Sequence, residues 1–176
     1  MADETDETDT EAPEATQSVT VQSLREHFPE AGIEFVCSRG EDTAVVRRDQ
    51  LVSVLTFLRD SFPNRFDRLS DLTAVDYLYM DEDVRFAVVY HLHSLASGDR
   101  IRIKVPVPES DPCVASISAI WPAADWLERE VYDLYGIEFD AHPDLRRILM
   151  PDDFESFPLR KDYPLHGKGE RDNFVF

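Results

Sequence analysis

His91 and His93 stand two positions apart in a run of strand-forming residues, so both imidazoles project from one face. A zinc or copper ion could use that spacing, but a closed site needs a third and a fourth ligand. No neighbouring residue supplies one at a recognisable interval, so the pair is expected to be hydrogen-bonded or exposed strand histidines. A second concentration of reactive groups is Asp125, Glu128, Glu130 and Asp133, carboxylates crowded on one helical segment. Paired carboxylates perform acid–base chemistry when burial separates their pKa values; otherwise they form a charged face turned to solvent or to a partner, which is the expectation here. Cys37 and Cys113 are the only thiols. Two cannot furnish the four thiolates of an iron–sulfur cluster, and both are expected to be small buried apolar groups in a reducing compartment. The six glycines form neither GxGxxG nor GxxxxGK followed by Ser or Thr, which removes the sequence case for a dinucleotide crevice or a phosphate loop. No catalytic, cofactor-binding or metal-binding residue is assigned.

The elements that must hold these groups follow from hydrophobic periodicity. Residues 1–18 are mostly Asp, Glu, Thr and Ala with one Pro and no basic residue, a composition that cannot offset its ordering entropy, and they read as a disordered acidic tail. Val21 and Leu24 begin a short helix stopped by Pro29, and Ile33–Cys37 and Thr43–Arg47 are β-rich runs around a turn at Ser38–Asp42. Leu51, Val54, Leu55 and Leu58 recur at helical spacing, with Asp49 as N-cap and Pro63 past the end. Leu69–Tyr79, Arg85–His93 and Arg100–Val107 form an antiparallel meander, and Ile117–Trp121 reads as one more strand. A final helix runs from Pro122 to about Tyr135, with Pro122 at its first position, Gly136 just past its end and Asp125 pairing with Arg129. Residues 19–136 are therefore an α+β domain, helices packed on a mostly antiparallel sheet. Beyond it Pro143, Pro151, Pro158 and Pro164 interrupt every periodic stretch apart from a short strand at Leu145–Met150, so residues 137–176 read as an extended C-terminal arm for packing on partners.

Composition narrows the function classes. A formal net charge of −18 over 176 residues argues against nucleic acid, whose phosphates need clustered Lys and Arg, and against direct docking on an anionic membrane. No apolar run approaches the ~20 residues that span a bilayer, and no basic region followed by an apolar stretch opens the chain. Direct membrane insertion is thus not expected, and the cytoplasm is the expected compartment. From Asp140 onward 8 acidic residues meet 6 basic ones, leaving this region nearly neutral, as suits a surface buried on assembly.

The stretch Trp121–Gly167, WPAADWLEREVYDLYGIEFDAHPDLRRILMPDDFESFPLRKDYPLHG, resembles the 30-kDa subunit family of the bacterial type I NADH:quinone oxidoreductase, respiratory complex I, whose member is the subunit designated C. The EREVYDLYGI helix, the HPDLRRILMP segment and the PLRKDYPLHG arm carry the resemblance. The family commonly has histidine before the Pro-Leu-Arg-Lys run; Phe157 stands there, so no role of that histidine transfers. The resemblance implies a cofactor-free structural subunit of the hydrophilic arm, peripheral on the cytoplasmic side of the cell inner membrane. Flavin and iron–sulfur clusters are expected in partner subunits, NADH is not expected to bind this chain, and the isolated chain is expected to be non-catalytic. The implied partners are the quinone-site subunit (the one designated D) and neighbouring cluster-bearing subunits of a complex that couples electron transfer from NADH to quinone to proton translocation. Candidate interface residues are Trp126, Glu128, Arg129, Glu130, Tyr132 and Asp133 on the helix, His142, Pro143, Arg146 and Arg147 beyond it, and Arg160, Lys161 and Asp162 in the arm. Trp121 and Tyr135 are further aromatic anchors, and the arm's basic residues are expected to pair with partner carboxylates or with Glu128 and Glu130. The alternatives are the equivalent subunit of a membrane-bound hydrogenase-type oxidoreductase and a free-standing acidic adaptor.

Overall fold

The computed structural model describes residues 18–60 and 65–169, so most of the acidic tail and the helix stop at Pro63 lie outside the described residues. Helix α1, Val19–His27, starts where the Ser18 hydroxyl accepts the Val21 N–H at 3.3 Å, and it buries Val21 and Leu24. Strands β1, Glu34–Ser38, and β2, Glu41–Val45, form a tight hairpin, and Gly40 supplies the positive φ (79°) that its turn requires. A 3-10 turn at Arg48–Gln50 leads into α2, Leu51–Asp60. Asp49 binds Arg47 instead of capping α2. The meander is β3, Arg68–Asp76, β4, Phe86–His93, and β5, Arg100–Val107.

These strands form one sheet in the order β1-β2-β5-β4-β3, antiparallel throughout except where β2 runs parallel to β5. Alternation along the strands sends Ala44, Ile103, Val105, Val88, Tyr90, Leu72 and Ala74 to one face, where they meet Leu24 of α1 and Leu51, Val54, Leu55 and Leu58 of α2. Each such aliphatic burial is worth about 1.5–3 kcal/mol, so this face holds the domain together. The opposite face carries Arg100, Arg102 and Lys104 between those buried positions.

A second unit lies beside this sheet. Strand β6, Cys113–Ala115, and strand β7, Glu138–Asp140, pair in parallel, and α3, Ala124–Tyr135, connects them. Three expectations change here. The run 117–121 is turns, not a strand, with the Ile120 and Trp121 N–H groups returning to the Ile117 carbonyl. Pro122 precedes α3 by two residues instead of opening it. Leu145–Met150 forms no strand, because a side chain of α3 takes its N–H groups. The cysteines also depart from expectation: Cys37 is exposed on the edge strand β1 and Cys113 is half-buried.

Candidate functional site

Helix α3 has no side-chain cap at its start and ends on Gly136, whose left-handed backbone (φ 69°) lets its N–H reach the Tyr132 carbonyl at 2.9 Å. A Cβ at Gly136 would stand 2.5 Å from the Phe157 ring and 2.8 Å from the Arg160 guanidinium, so the arm lies directly on this cap. The helix is amphipathic in a specific sense: Ala124, Val131 and Leu134 are buried, and so are the charged Glu128, Arg129 and Asp133.

Glu128, expected on an outer face, is 0% exposed. Its carboxyl accepts the Ser116 hydroxyl at 2.6 Å and the Ile117 N–H at 2.7 Å, tying α3 to the loop after β6. Burial pushes its pKa up against the opposing pull of those donors. His142, also with a fully buried side chain, sits beside it, Nε2 being 3.7 Å from Glu128 and 3.3 Å from the Asp125 carboxyl. The Asp144 N–H donates to Nδ1 at 3.0 Å, which leaves the ring proton on Nε2, facing the Asp125 carbonyl at 3.2 Å. Asp125 therefore serves His142, and Arg129 donates to the Arg146 carbonyl at 3.2 Å while lying over the Trp126 ring; the anticipated Asp125–Arg129 pair is not made.

Asp133 organises the next turn of the chain. One oxygen accepts the consecutive N–H groups of Ile148, Leu149 and Met150 at 3.0, 2.7 and 2.8 Å, and the other accepts Arg147 at 2.7 Å. Burial raises its pKa, but these four donors outweigh burial and hold the carboxyl below its usual range. Arg147 also donates to the Ser156 carbonyl and faces Phe154 and Phe157. Arg160 donates to the last carbonyls of α3, Tyr135 at 2.6 Å and Gly136 at 3.5 Å, where a cation complements the helix dipole. Arg147 and Arg160 thus engage this chain's own helix. Arg146 pairs with Asp144 at 2.9 Å, and among the described residues neither Glu128 nor Glu130 receives an arginine.

Sequence reasoning missed the clamp that closes the arm. Buried Asp76 accepts two Arg85 nitrogens at 3.1 and 3.2 Å and the Lys161 N–H at 2.8 Å. Arg85 continues to Asp162 at 2.7 Å and to Glu109. Asp76 ends strand β3 and Arg85 precedes β4, positions that no sequence motif marked.

Several large apolar side chains remain outward on this helix and arm. Trp126 is 63% exposed, Leu149 55% and Leu165 99%, with Leu159 also exposed, all on α3 or the arm. Glu130, Pro143, Arg146, Lys161 and Asp162 are exposed around them and Tyr132 is half-buried. His91 and His93 sit on β4 away from this site, and among the described residues no three His, Cys, Asp or Glu side chains converge as metal ligands. No described helix is long and apolar enough to cross a membrane.

Residues 44–169 match the family described as respiratory-chain NADH dehydrogenase, 30 Kd subunit. The chain is 48% identical over 153 residues to the NADH-quinone oxidoreductase subunit designated C of Citrifermentans bemidjiense, covering 87% of this chain and 92% of that protein. It is 52% identical over 128 residues to the subunit of the same name from Caulobacter vibrioides, covering 73% and 64%. Among solved structures it resembles a trypsin-resistant fragment (1–134) of Nqo5, with TM-score 0.61, 34% identity and coverage of 72% and 99%. A chain of the membrane-bound sulfane sulfur reductase, an archaeal respiratory membrane complex, is similar at TM-score 0.70 and 25% identity, with coverage of 82% and 84%.

Proposed function

The chain belongs to the 30-kDa subunit family of the respiratory-chain NADH dehydrogenase, which includes the C-designated subunits of NADH-quinone oxidoreductase, and on that premise we propose that it is a cofactor-free structural subunit of the hydrophilic arm of such a complex. The assembled enzyme passes electrons from NADH to quinone and couples this to proton translocation. This chain binds no flavin or cluster, is not catalytic alone, and lies peripherally on the cytoplasmic side of the membrane. Its partners are the quinone-site subunit and the subunits that carry flavin and iron–sulfur clusters.

The observation that supports this reading best is the exposed apolar set Trp126, Leu149, Leu159 and Leu165, presented by a helix and an arm that internal ion pairs hold in place. Large apolar side chains exposed on such a helix and arm are suited to a subunit contact. They also disfavour a free-standing acidic adaptor. The absence of a dinucleotide motif and the presence of only two cysteines support the cofactor-free role.

Purification of the tagged chain from gently solubilised native membranes tests the proposal. Co-purifying flavin- and cluster-bearing subunits with NADH-dependent quinone reduction are the expected result, and a lone soluble chain would overturn it. The likeness to a sulfane sulfur reductase chain favours one second reading, the equivalent subunit of a sister respiratory membrane complex; redox subunits recovered without NADH activity would move the chain there.

A further inference from the structure

The two edges of the five-stranded sheet differ. At one, β3 carries a register irregularity between Leu69 and Asp71 and packs against α3, and both features keep a sheet edge from pairing with other chains. At the other, β1 pairs with β2 without interruption and, among the described residues, with nothing on its outer side. Its sequence, EFVCS, holds no proline, no lysine and a single charge, Glu34. The turn between the two strands is made by Arg39 and Gly40, both at positive φ (55° and 79°), so the flanking Ser38–Glu41 pair is a hydrogen-bonded one. Alternation from that pair turns the N–H and C=O groups of Phe35 and Cys37 away from β2, free to bind one more strand.

The edge also opens onto room for side chains. Val36 is exposed and, with Glu34, faces a groove of about 1050 Å³ on the sheet face opposite α1 and α2. Val45, Ala87 and Pro106 line this groove from the sheet and Val114 lines it from β6. Its three basic residues are already paired, Arg47 with Asp49, Arg48 with Asp111 and Lys104 with Glu82. Glu34, Asp83 and Asp140 line it too, are exposed, and make no ion pair among the described residues. We propose that β1 receives an extended segment of a neighbouring subunit as a sixth strand, its groove-facing side chains apolar and basic. Main-chain pairing at the edge supplies affinity, and the groove beside it selects the alternate side chains. Basic groups on the segment complement the three unpaired carboxylates. This docking rests on the subunit role proposed above.

Hydrogen exchange of the complex, purified through a tag on this chain from native membranes, tests the docking against the isolated full-length chain. Peptides covering residues 33–38 are expected to exchange at least about tenfold more slowly in the complex. Cys37→Pro deletes one outward N–H and leaves the β1–β2 ladder intact, and Glu34→Lys/Asp83→Lys sets like charge against a basic segment. Each isolated variant should keep the exchange protection of β2, β4 and β5, yet recovery of intact complex should fall severalfold. Should Cys37→Pro lose that protection, the comparison of the native chain decides alone. A complex recovered with β1 exchanging as fast as in the isolated chain would overturn the docking and leave the subunit role standing. A lone chain from the membranes would overturn both. Full recovery of complex with either folded variant, or protection of the isolated chain that grows with its concentration and so assigns the edge to a second copy, would also overturn the docking.

Discussion

The Asp133 carboxylate holds Arg147 at 2.7 Å with one oxygen and three consecutive backbone N–H groups with the other. A side chain of α3 thereby does for residues 148–150 what a neighbouring strand would otherwise do.

An amide in its place keeps one oxygen for the three N–H groups but sets an NH2 donor against the mostly buried Arg147 guanidinium. Asp133→Asn is expected to lower the unfolding free energy by about 3–5 kcal/mol, the range for breaking one side of a buried pair. Urea denaturation of the isolated chain reads the loss directly, and a change under about 1 kcal/mol would refute this account.

Glu128 is expected to behave in the opposite way. Its pKa is raised by burial, so the folded state binds its proton more tightly than the unfolded state does. Stability from this group falls as pH rises from its unfolded value, about 4.3, through the folded one. Glu128→Gln should therefore be neutral or stabilising at pH ~7, whereas Glu128→Ala should cost about 2–4 kcal/mol through cavity and unsatisfied donors. Equal damage from both would show that the charge is needed.

For Asp76 and Asp133 burial is outweighed by their donors and the folded pKa is depressed. Their contribution is present above the unfolded value of about 3.9 and disappears as pH falls through the folded one. Urea midpoints between pH ~5 and ~2 should fall steeply in the native chain and more gently in Asp133→Asn; parallel curves would contradict the assignment.

Gly136→Ala would force a side chain into a left-handed position and into Phe157 and Arg160. The expected cost is at least about 2 kcal/mol, together with faster trypsin cleavage at Arg160 and Lys161 as the arm lifts. Unchanged cleavage would mean that the arm tolerates the added methyl.

At the proposed interface the effects should separate. Trp126→Ala and Leu149→Ser alter exposed positions, so the isolated chain should keep its stability to within about 1 kcal/mol. Recovery of intact complex should nevertheless fall severalfold, and full recovery would place the contact elsewhere.

Much of the α+β fold was legible because its signals are local. The 3.6-residue spacing of Leu51, Val54, Leu55 and Leu58 and the alternation of Arg100–Val107 each reflect a single buried face. Pairings between distant segments were not legible. The parallel alignment of β2 with β5 and of β6 with β7 depends on connections that leave no periodic mark. Leu145–Met150 looks like a strand because it is apolar, yet its amides are satisfied by one carboxylate 15–17 residues upstream. The candidate site was located through its motifs, but the inward turn of Glu128 and Asp133 was hidden. Charged residues on a helix usually face water, and only the donors at Ser116, Ile117 and Ile148–Met150 make burial tolerable here.

The Asp76–Arg85 clamp has a consequence for biosynthesis. The Lys161 N–H that completes the Asp76 shell lies 85 positions downstream, so it is translated long after the strand it closes. At roughly 5–20 residues per second, that delay is about 4–17 s. Through that interval the Asp76 carboxylate is without its final donor, and from the completion of β5 at Val107 the sheet around it must wait for Lys161. A segment made well after the strand is then what locks the edge of the domain, and a chain cut short before residue 161 would never reach the stability of the closed form.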